Sequence, residues 1–297
     1  MLVPTPLSEE HFRGQIGRVG LLNSFHDSQE TTWRVRRIGG DVAEQGVIER
    51  TASVLARLSN LSVGEYIRRH TLIPYQSFYH RTHWSHVGGR WPFTTLGSSS
   101  NNVARYCELC TADDIELHGF SYWRRGHQLP GMMWCLRHKI PLRQHQRKHA
   151  FDILPQNAKG SAVTDLGFDT ASSVIHRFLR ISELLLEIQQ PIEESAFKPR
   201  LVKMALARKL RTGLTGSNPP PSDIVVNTCS ESWLASVFPG IEGKRRNEFF
   251  VAIDAATRSS PANSATASFA IVLSIFFDDA SEAVKWLFDD SPGQDSR

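Results

Sequence analysis

Three cysteines and one histidine are spaced as the ligands of a metal ion. Cys107 and Cys110 form one pair with a two-residue gap, Cys135 and His138 form a second, and residues 111–134 separate the pairs. Tetrahedral zinc takes four soft or borderline donors. The short gap lets both side chains of a knuckle converge on one ion while the amides of the turn favour thiolate charge. With four protein donors the coordination is closed. The spacing therefore predicts one structural Zn2+ with no position for water, which argues against catalysis at the metal.

Other readings of these residue types are weaker. A redox pair at Cys107 and Cys110 lacks a strand–motif–helix context. His118 or His127 could stand in for His138 as fourth ligand, but the two-residue spacing favours His138. His145 and His149 have no further donors nearby in the chain and make a poor second site, so a single zinc is expected. Cys229 stands alone and reads as a buried thiol. No P-loop with its lysine, no nucleophile elbow and no paired carboxylates mark a catalytic cleft, and no catalytic residue is assigned.

A chain of 297 residues can bury a sizeable core, and 40% hydrophobic with 22% charged residues suits a soluble globular protein. Four cysteines in that length make no disulfide framework, and their clustering suits a reducing, cytoplasmic compartment. The apolar run Ala267–Phe277 is too short to span a bilayer and leads into Asp278 and Asp279; no signal peptide opens the sequence. Residues 1–150 carry 19 Lys and Arg against 12 Asp and Glu, a net +7; residues 151–297 carry 15 against 18, a net −3. A basic half permits an anionic partner such as nucleic acid without requiring one.

The elements that would position the ligands are mostly helices. Leu7–Asn23 predicts a first helix capped by Ser8, with Phe12, Ile16 and Val19 at helical spacing and Gly14, Gly17 and Gly20 forming a narrow face for close packing. Thr51–Ser59 and Ser62–His70 predict a helical hairpin turned at Asn60-Leu61, with Ser62 and Glu65 as a capping box. The same pattern suits a helix-turn-helix. Its second helix ends in Arg68, Arg69 and His70, which could meet phosphates or simply complement the helix dipole. His80–Asn102 reads as irregular, with Trp84, Trp91 and Phe93 arguing for a loop that wraps the domain. Pro141–Gly167 reads as a second irregular section.

From Ser172 an amphipathic helix runs towards Pro191. Further helices are expected at Pro199–Thr212, Ser230–Phe238, Gly243–Arg258, Ser264–Phe277 and Ser281–Phe288, with Ser217–Ser222 an exposed loop. The expected fold is mainly α with a small zinc-ribbon β element. Its parts are an N-terminal helix-turn-helix-like domain over 1–102, a zinc ribbon over 103–150 and a C-terminal helical array over 168–290.

Between the knuckles the pattern becomes specific. Tyr122-Trp123, then His127-Gln128, Gly131, and Cys135-x2-His138 followed by Pro141-Leu142 resemble the zinc-ribbon signature of the TniQ family. Leu58–Ser62 and Leu72-Ile73-Pro74-Tyr75 are similar to that family's N-terminal segment. Some members carry a second cysteine/histidine cluster downstream, whereas this chain has no cysteine between Cys135 and Cys229. Tyr122 and Trp123 would cover the ribbon, and Gly131 would allow a turn between its strands.

The resemblance implies a non-catalytic adaptor for target-site selection in transposition, which recognises DNA or a CRISPR effector complex and recruits an AAA+ ATPase. At 297 residues the chain resembles the shorter members, which rely on a partner complex for the address. Residues 1–150 would contact nucleic acid or its complex, and the helical half would support a homodimer or the ATPase contact; the division could run the other way. Arg124 and Arg125 would face phosphate, an acidic partner or solvent. Two other classes remain in view: a stand-alone sequence-specific DNA-binding regulator built on Thr51–His70, and a zinc enzyme in which one ligand yields to water.

Overall fold

A computed structural model of the chain describes residues 1–38, 47–80, 102–258 and 264–289. In its first part run α1 (Phe12–Leu22), α2 (Ser28–Ile38), α3 (Val47–Leu58), α4 (Val63–His70), α5 (Ile73–Gln76), β1 (Tyr79–His80), β2 (Val103–Tyr106), α6 (Glu108–His118), β3 (Arg143–Gln146) and β4 (Ser161–Ala162). Then follow α7 (Ser173–Leu186), β5 (Ile192–Glu193), α8 (Glu194–Ala207), α9 (Pro221–Thr228), α10 (Glu231–Val237), α11 (Val251–Asp254), α12 (Thr266–Phe276) and α13 (Ala280–Phe288). Two units form: one from Met1–Pro74 with Trp91–Thr170, the other from Tyr75–Arg90 with Ala171–Arg297. The N-terminal helices and the candidate metal ligands therefore share a unit.

In that first unit α1 begins at Phe12, four residues after its expected cap. Ser8–Glu10 cannot join the helix because its neighbours' backbone groups are paired elsewhere. The His11 N–H donates to the Trp123 carbonyl at 2.7 Å, the Arg125 N–H donates to the Glu9 carbonyl at 2.9 Å, and Glu10 forms an antiparallel bridge with Arg124. The glycine face is used as expected, though only in part by a helix. Gly20 lies against Thr31 of α2, Gly14 against the Trp123 ring, and Gly17 so close to the Phe151 carbonyl that a Cβ would overlap it.

Residues 24–46 carried no expectation, and α2 forms there. Asp27 caps it, its Oδ1 accepting from the N–H groups of Gln29 and Glu30 at 2.9 and 2.8 Å. Thr31 and Val35, one turn apart, are its buried residues. The α3–α4 hairpin forms as expected, with Asn60 left-handed at φ 56° and the Leu61 N–H donating to the Ala56 carbonyl at 2.9 Å. Ser62 Oγ accepts from the Glu65 N–H at 3.2 Å, while the Glu65 carboxylate pairs with Arg69. Phe12, Ile16, Val19, Val35, Leu55, Tyr66 and Ile67 meet in one core. Each such side chain contributes about 1.5–3 kcal/mol, enough to hold short helices that are marginal alone.

The small β element exists, but its strands lie outside the knuckles. β2 pairs antiparallel with β3, Val103 opposite Gln146, and β3 pairs with β4, Arg143 opposite Ala162. The section Pro141–Gly167 is therefore not wholly irregular. Between the knuckles run α6 and a 3-10 turn at Gly126–Gln128. Gly131, left-handed at φ 71°, makes a turn after these elements rather than between two strands.

In the second unit α7 follows Ser172, whose Oγ accepts from the Ile175 N–H at 3.4 Å, and packs against α12 and α13. β1 runs parallel to β5, Tyr79 opposite Ile192, and beside that pair Phe269 meets the rings of Phe78 and Phe197 edge to face, while those two rings are tilted at 41° to each other. α12 is buried on almost every side. Among the described residues no helix is long and apolar enough to cross a membrane.

Three helical expectations shift. α8 starts at Glu194 and contains Pro199 rather than starting there. The exposed loop ends at Pro219, because Pro220 is the buried N-cap of α9 and Pro221 opens that helix at a position where its missing N–H is no loss. Gly243–Arg258 is not one helix: Asn247 is left-handed at φ 60° and its N–H donates to Asp223 at 2.9 Å, so only α11 and a 3-10 turn at Ala255–Thr257 form. The expected wrapping loop, with Trp84, Trp91 and Phe93, lies outside the described residues.

Candidate metal centre

Cys107 occupies the N-cap of α6, so Cys107 and Cys110 sit one turn apart on the first turn of a helix. The positive end of the helix dipole favours thiolate charge there. The second knuckle is a tight loop. Trp134 and Pro141 bridge antiparallel at its base, the Cys135 N–H donates to the Ile140 carbonyl at 2.9 Å, and the Lys139 N–H donates to the Cys135 carbonyl at 2.7 Å. Lys139 is left-handed at φ 55°, which closes the loop.

These two elements bring Cys107, Cys110, Cys135 and His138 together, their donor atoms all within 4.8 Å of one another. His138 Nδ1 faces the sulfurs of Cys107 and Cys110 at 3.4 Å each and that of Cys135 at 3.7 Å. The Cys110 and Cys135 sulfurs are 3.7 Å apart. The cysteines are buried and His138 nearly so, and none of the four cysteines forms a disulfide. The arrangement is a possible metal site of three sulfurs and one imidazole. His118 is exposed on α6 and outside the cluster.

With Nδ1 aimed at the sulfurs, His138 Nε2 faces Asp113 Oδ2 at 3.4 Å, and Arg137 holds the same oxygen at 3.0 Å. A carboxylate behind a ligating imidazole fixes its tautomer and raises its basicity. Sequence reasoning missed Asp113, although a carboxylate one turn after Cys110 on the same helix is a readable signal. Hydrogen bonding with the Cys107 and Cys110 thiols, with His127 beside it, holds Cys135 well below its ordinary pKa, while Cys107 and Cys135 push Cys110 upward. The packed sulfurs thus resist carrying three negative charges without a cation among them. His127 is a buried neighbour of the cluster, outside the four-donor set.

The profile of the TniQ family matches residues 1–142, a stretch that contains all four candidate ligands. Over this stretch, a little under half of its length, the chain is similar to the TniQ family. Among curated proteins, none matches the chain. That similarity supports a transposition-associated, target-selection role.

The TniQ signature residues between the knuckles turn out to be internal. Trp123 is buried against Tyr106 of β2 and Phe151 and its Nε1–H donates to the Ile153 carbonyl at 2.8 Å, so it packs on the small sheet and anchors it in the wider unit. Gln128 clamps β2, donating to the Arg105 carbonyl at 2.8 Å and accepting from the Arg105 N–H at 3.0 Å. His145 and His149 are engaged separately, with the Lys159 carbonyl and the Ser28 hydroxyl, and make no second cluster among the described residues.

The five basic residues picked as partner contacts divide. Arg125 is buried, its guanidinium held by Glu9 and the Arg68 carbonyl; Arg124 is largely buried against Asp114. His70 is buried too, with Nδ1 3.0 Å from the Glu10 carbonyl. That oxygen can only accept, so Nδ1 carries the proton. These three are held by groups within their own unit, and for Arg125 and His70 the sequence alone could not reveal partners more than fifty residues away. Arg68 is half-buried, and Arg69, exposed and paired with Glu65, remains at the surface.

Proposed function

We propose that this protein is a non-catalytic TniQ-family adaptor whose first unit is held in shape by one structural zinc ion. Residues 1–150 engage target DNA or an RNA-guided effector complex, and the helical second half supports self-association or contact with an AAA+ ATPase. The four-donor geometry carries the reading. A tetrahedral zinc with bonds of about 2.3 Å to sulfur and about 2.0 Å to nitrogen has edges of roughly 3.8 Å between sulfurs and roughly 3.5 Å between sulfur and nitrogen. The observed 3.7 Å and 3.4–3.7 Å fit those edges. Thiolates with an imidazole suit zinc rather than a hard cation, and four protein donors leave no position for substrate or water.

The rival reading, a regulator that reads DNA through α3 and α4, is weakened by the last turn of α4, where His70 faces inward and Arg69 is paired. The test mixes the full-length, zinc-loaded protein with the AAA+ ATPase of its own transposon. Co-elution on size exclusion, with weak and sequence-independent DNA binding by the protein alone, is expected. Tight binding of the isolated protein to one DNA sequence, without ATPase association, would overturn the adaptor reading in favour of the regulator.

A further inference from the structure

A cleft separate from the metal centre opens between α1, α2 and the turn at residues 149–152. Its volume is about 340 Å³, near the lower end of the roughly 300–1,000 Å³ of small-ligand sites. Phe12, Trp33 and Phe151 supply rings to its walls, and Arg13, Arg36 and Asp152 supply charge.

Trp33 is 52% exposed, and the Arg37 guanidinium lies 4.7 Å from its ring centroid, so a large ring is held at the surface beside a cation. Two of the residues that line the cleft each hold one buried polar atom with no hydrogen-bond partner among the described residues: Arg36 Nε, which only donates, and Asp152 Oδ1, which only accepts. The other Asp152 oxygen accepts from the Ser28 N–H at 3.0 Å, which fixes the carboxylate in place. Arg13 lies 5.8 and 6.0 Å from the ring centroids of Phe12 and Phe151. Burial lowers its pKa to about 10, so it stays charged at neutral pH.

This combination restricts the occupant. A bare anion would meet Asp152, and a lysine or arginine side chain would meet Arg13 and Arg36. A purely apolar group would leave the Arg36 donor and the Asp152 acceptor unmet. A neutral planar ring with a donor and an acceptor on its edge, carried on an anionic chain, satisfies all three conditions. We infer that this cleft takes one unpaired base of a single-stranded nucleic acid, stacked on Trp33, with its edge read by Arg36 and Asp152 and its phosphate beside Arg37. Bases splayed out of a strand are bound by stacking on aromatic rings together with contacts to their free edges. A paired base has no free edge to offer. The inference needs neither the zinc nor the ATPase contact, so it survives if the adaptor reading fails.

Fluorescence anisotropy of the full-length protein with labelled single-stranded DNA, single-stranded RNA and a DNA duplex of the same sequence tests it. At least one single strand is expected to bind more tightly than the duplex, and the tighter of the two identifies the source of the base. Trp33→Ala should weaken that binding about tenfold or more, Trp33→Phe should retain most of it, and Arg36→Gln should weaken it severalfold. Arg246→Gln, an exposed charge of the other unit, should leave it unchanged. Thermal melts check that each variant is folded. Four results overturn the inference: no single-strand binding by the wild-type protein, equal binding of the duplex, wild-type affinity in Trp33→Ala and Arg36→Gln, or an equal loss in Arg246→Gln.

Discussion

Arg125, buried to 1% exposure, donates through Nε and a terminal nitrogen to both carboxylate oxygens of Glu9, at 2.7 and 3.0 Å. Glu9 takes a left-handed φ of 60° in the segment that precedes α1. The pair ties the start of the chain to the segment between the knuckles, and it explains why α1 begins late. Removing one partner of a fully buried pair costs roughly 3–5 kcal/mol. Glu9 is 39% exposed, so water reaches the pair and Glu9→Ala should cost about 2 kcal/mol. Arg125→Ala should cost more, about 3 kcal/mol, because it also abandons the Arg68 carbonyl and leaves a void. Urea unfolding of the two variants checks the order; a smaller loss in Arg125→Ala would contradict it.

Gly17 and Gly64 are both helical and should respond oppositely to alanine. At Gly17 the new methyl would overlap the Phe151 carbonyl, and forced overpacking of this kind costs about 1–3 kcal/mol. At Gly64 nothing among the described residues lies within 4 Å, so Gly64→Ala should stabilise α4 by about 0.5 kcal/mol. Thermal melts of the two variants measure the difference in sign.

Burial lowers the pKa of His70 from 6.5 to about 4, outweighing its bond to the Glu10 carbonyl. Between those values the unfolded chain binds a proton that the folded chain refuses. Stability from this group is therefore complete above about pH 6.5 and is lost as pH falls towards 4, by up to about 3 kcal/mol. Burial lowers His11 as well, and its contribution has the same sign. Denaturation at several pH values should give a slope that His70→Gln flattens. An imidazole signal of His70 titrating near pH 6.5 would contradict the account.

Asp113 should act through His138 rather than on the metal directly. Loss of such an outer partner typically lowers metal affinity about 10- to 100-fold. Asp113→Asn should therefore lose metal to a competing chelator more readily while remaining folded with metal in excess. Unchanged affinity would reduce the Asp113 contact to a surface ion pair with Arg137.

What the sequence disclosed follows from the range of the interactions involved. The knuckle spacing, the Ser62 and Ser172 caps and the turn at Asn60 are local, and each was readable within four residues. The first knuckle was expected in a ribbon because a two-residue gap fits a turn and a helix N-terminus equally well. α2 was missed because only Thr31 and Val35 are buried on it, too few for a visible apolar period. The inward course of Arg124, Arg125 and His70 depends on Asp114, Glu9 and the Glu10 carbonyl, two of them more than fifty residues away in the chain. The break in Gly243–Arg258 likewise depends on Asp223, which takes the Asn247 N–H from another element.

X-ray absorption at the zinc edge, combined with metal analysis of the purified full-length protein, bears most directly on the closed structural centre. The expected result is one zinc per chain with three sulfurs at about 2.3 Å and one nitrogen at about 2.0 Å. Cys110→Ser should lose that signal together with soluble folded protein. A first shell containing a water oxygen, or a metal-free protein of undiminished stability, would contradict the account.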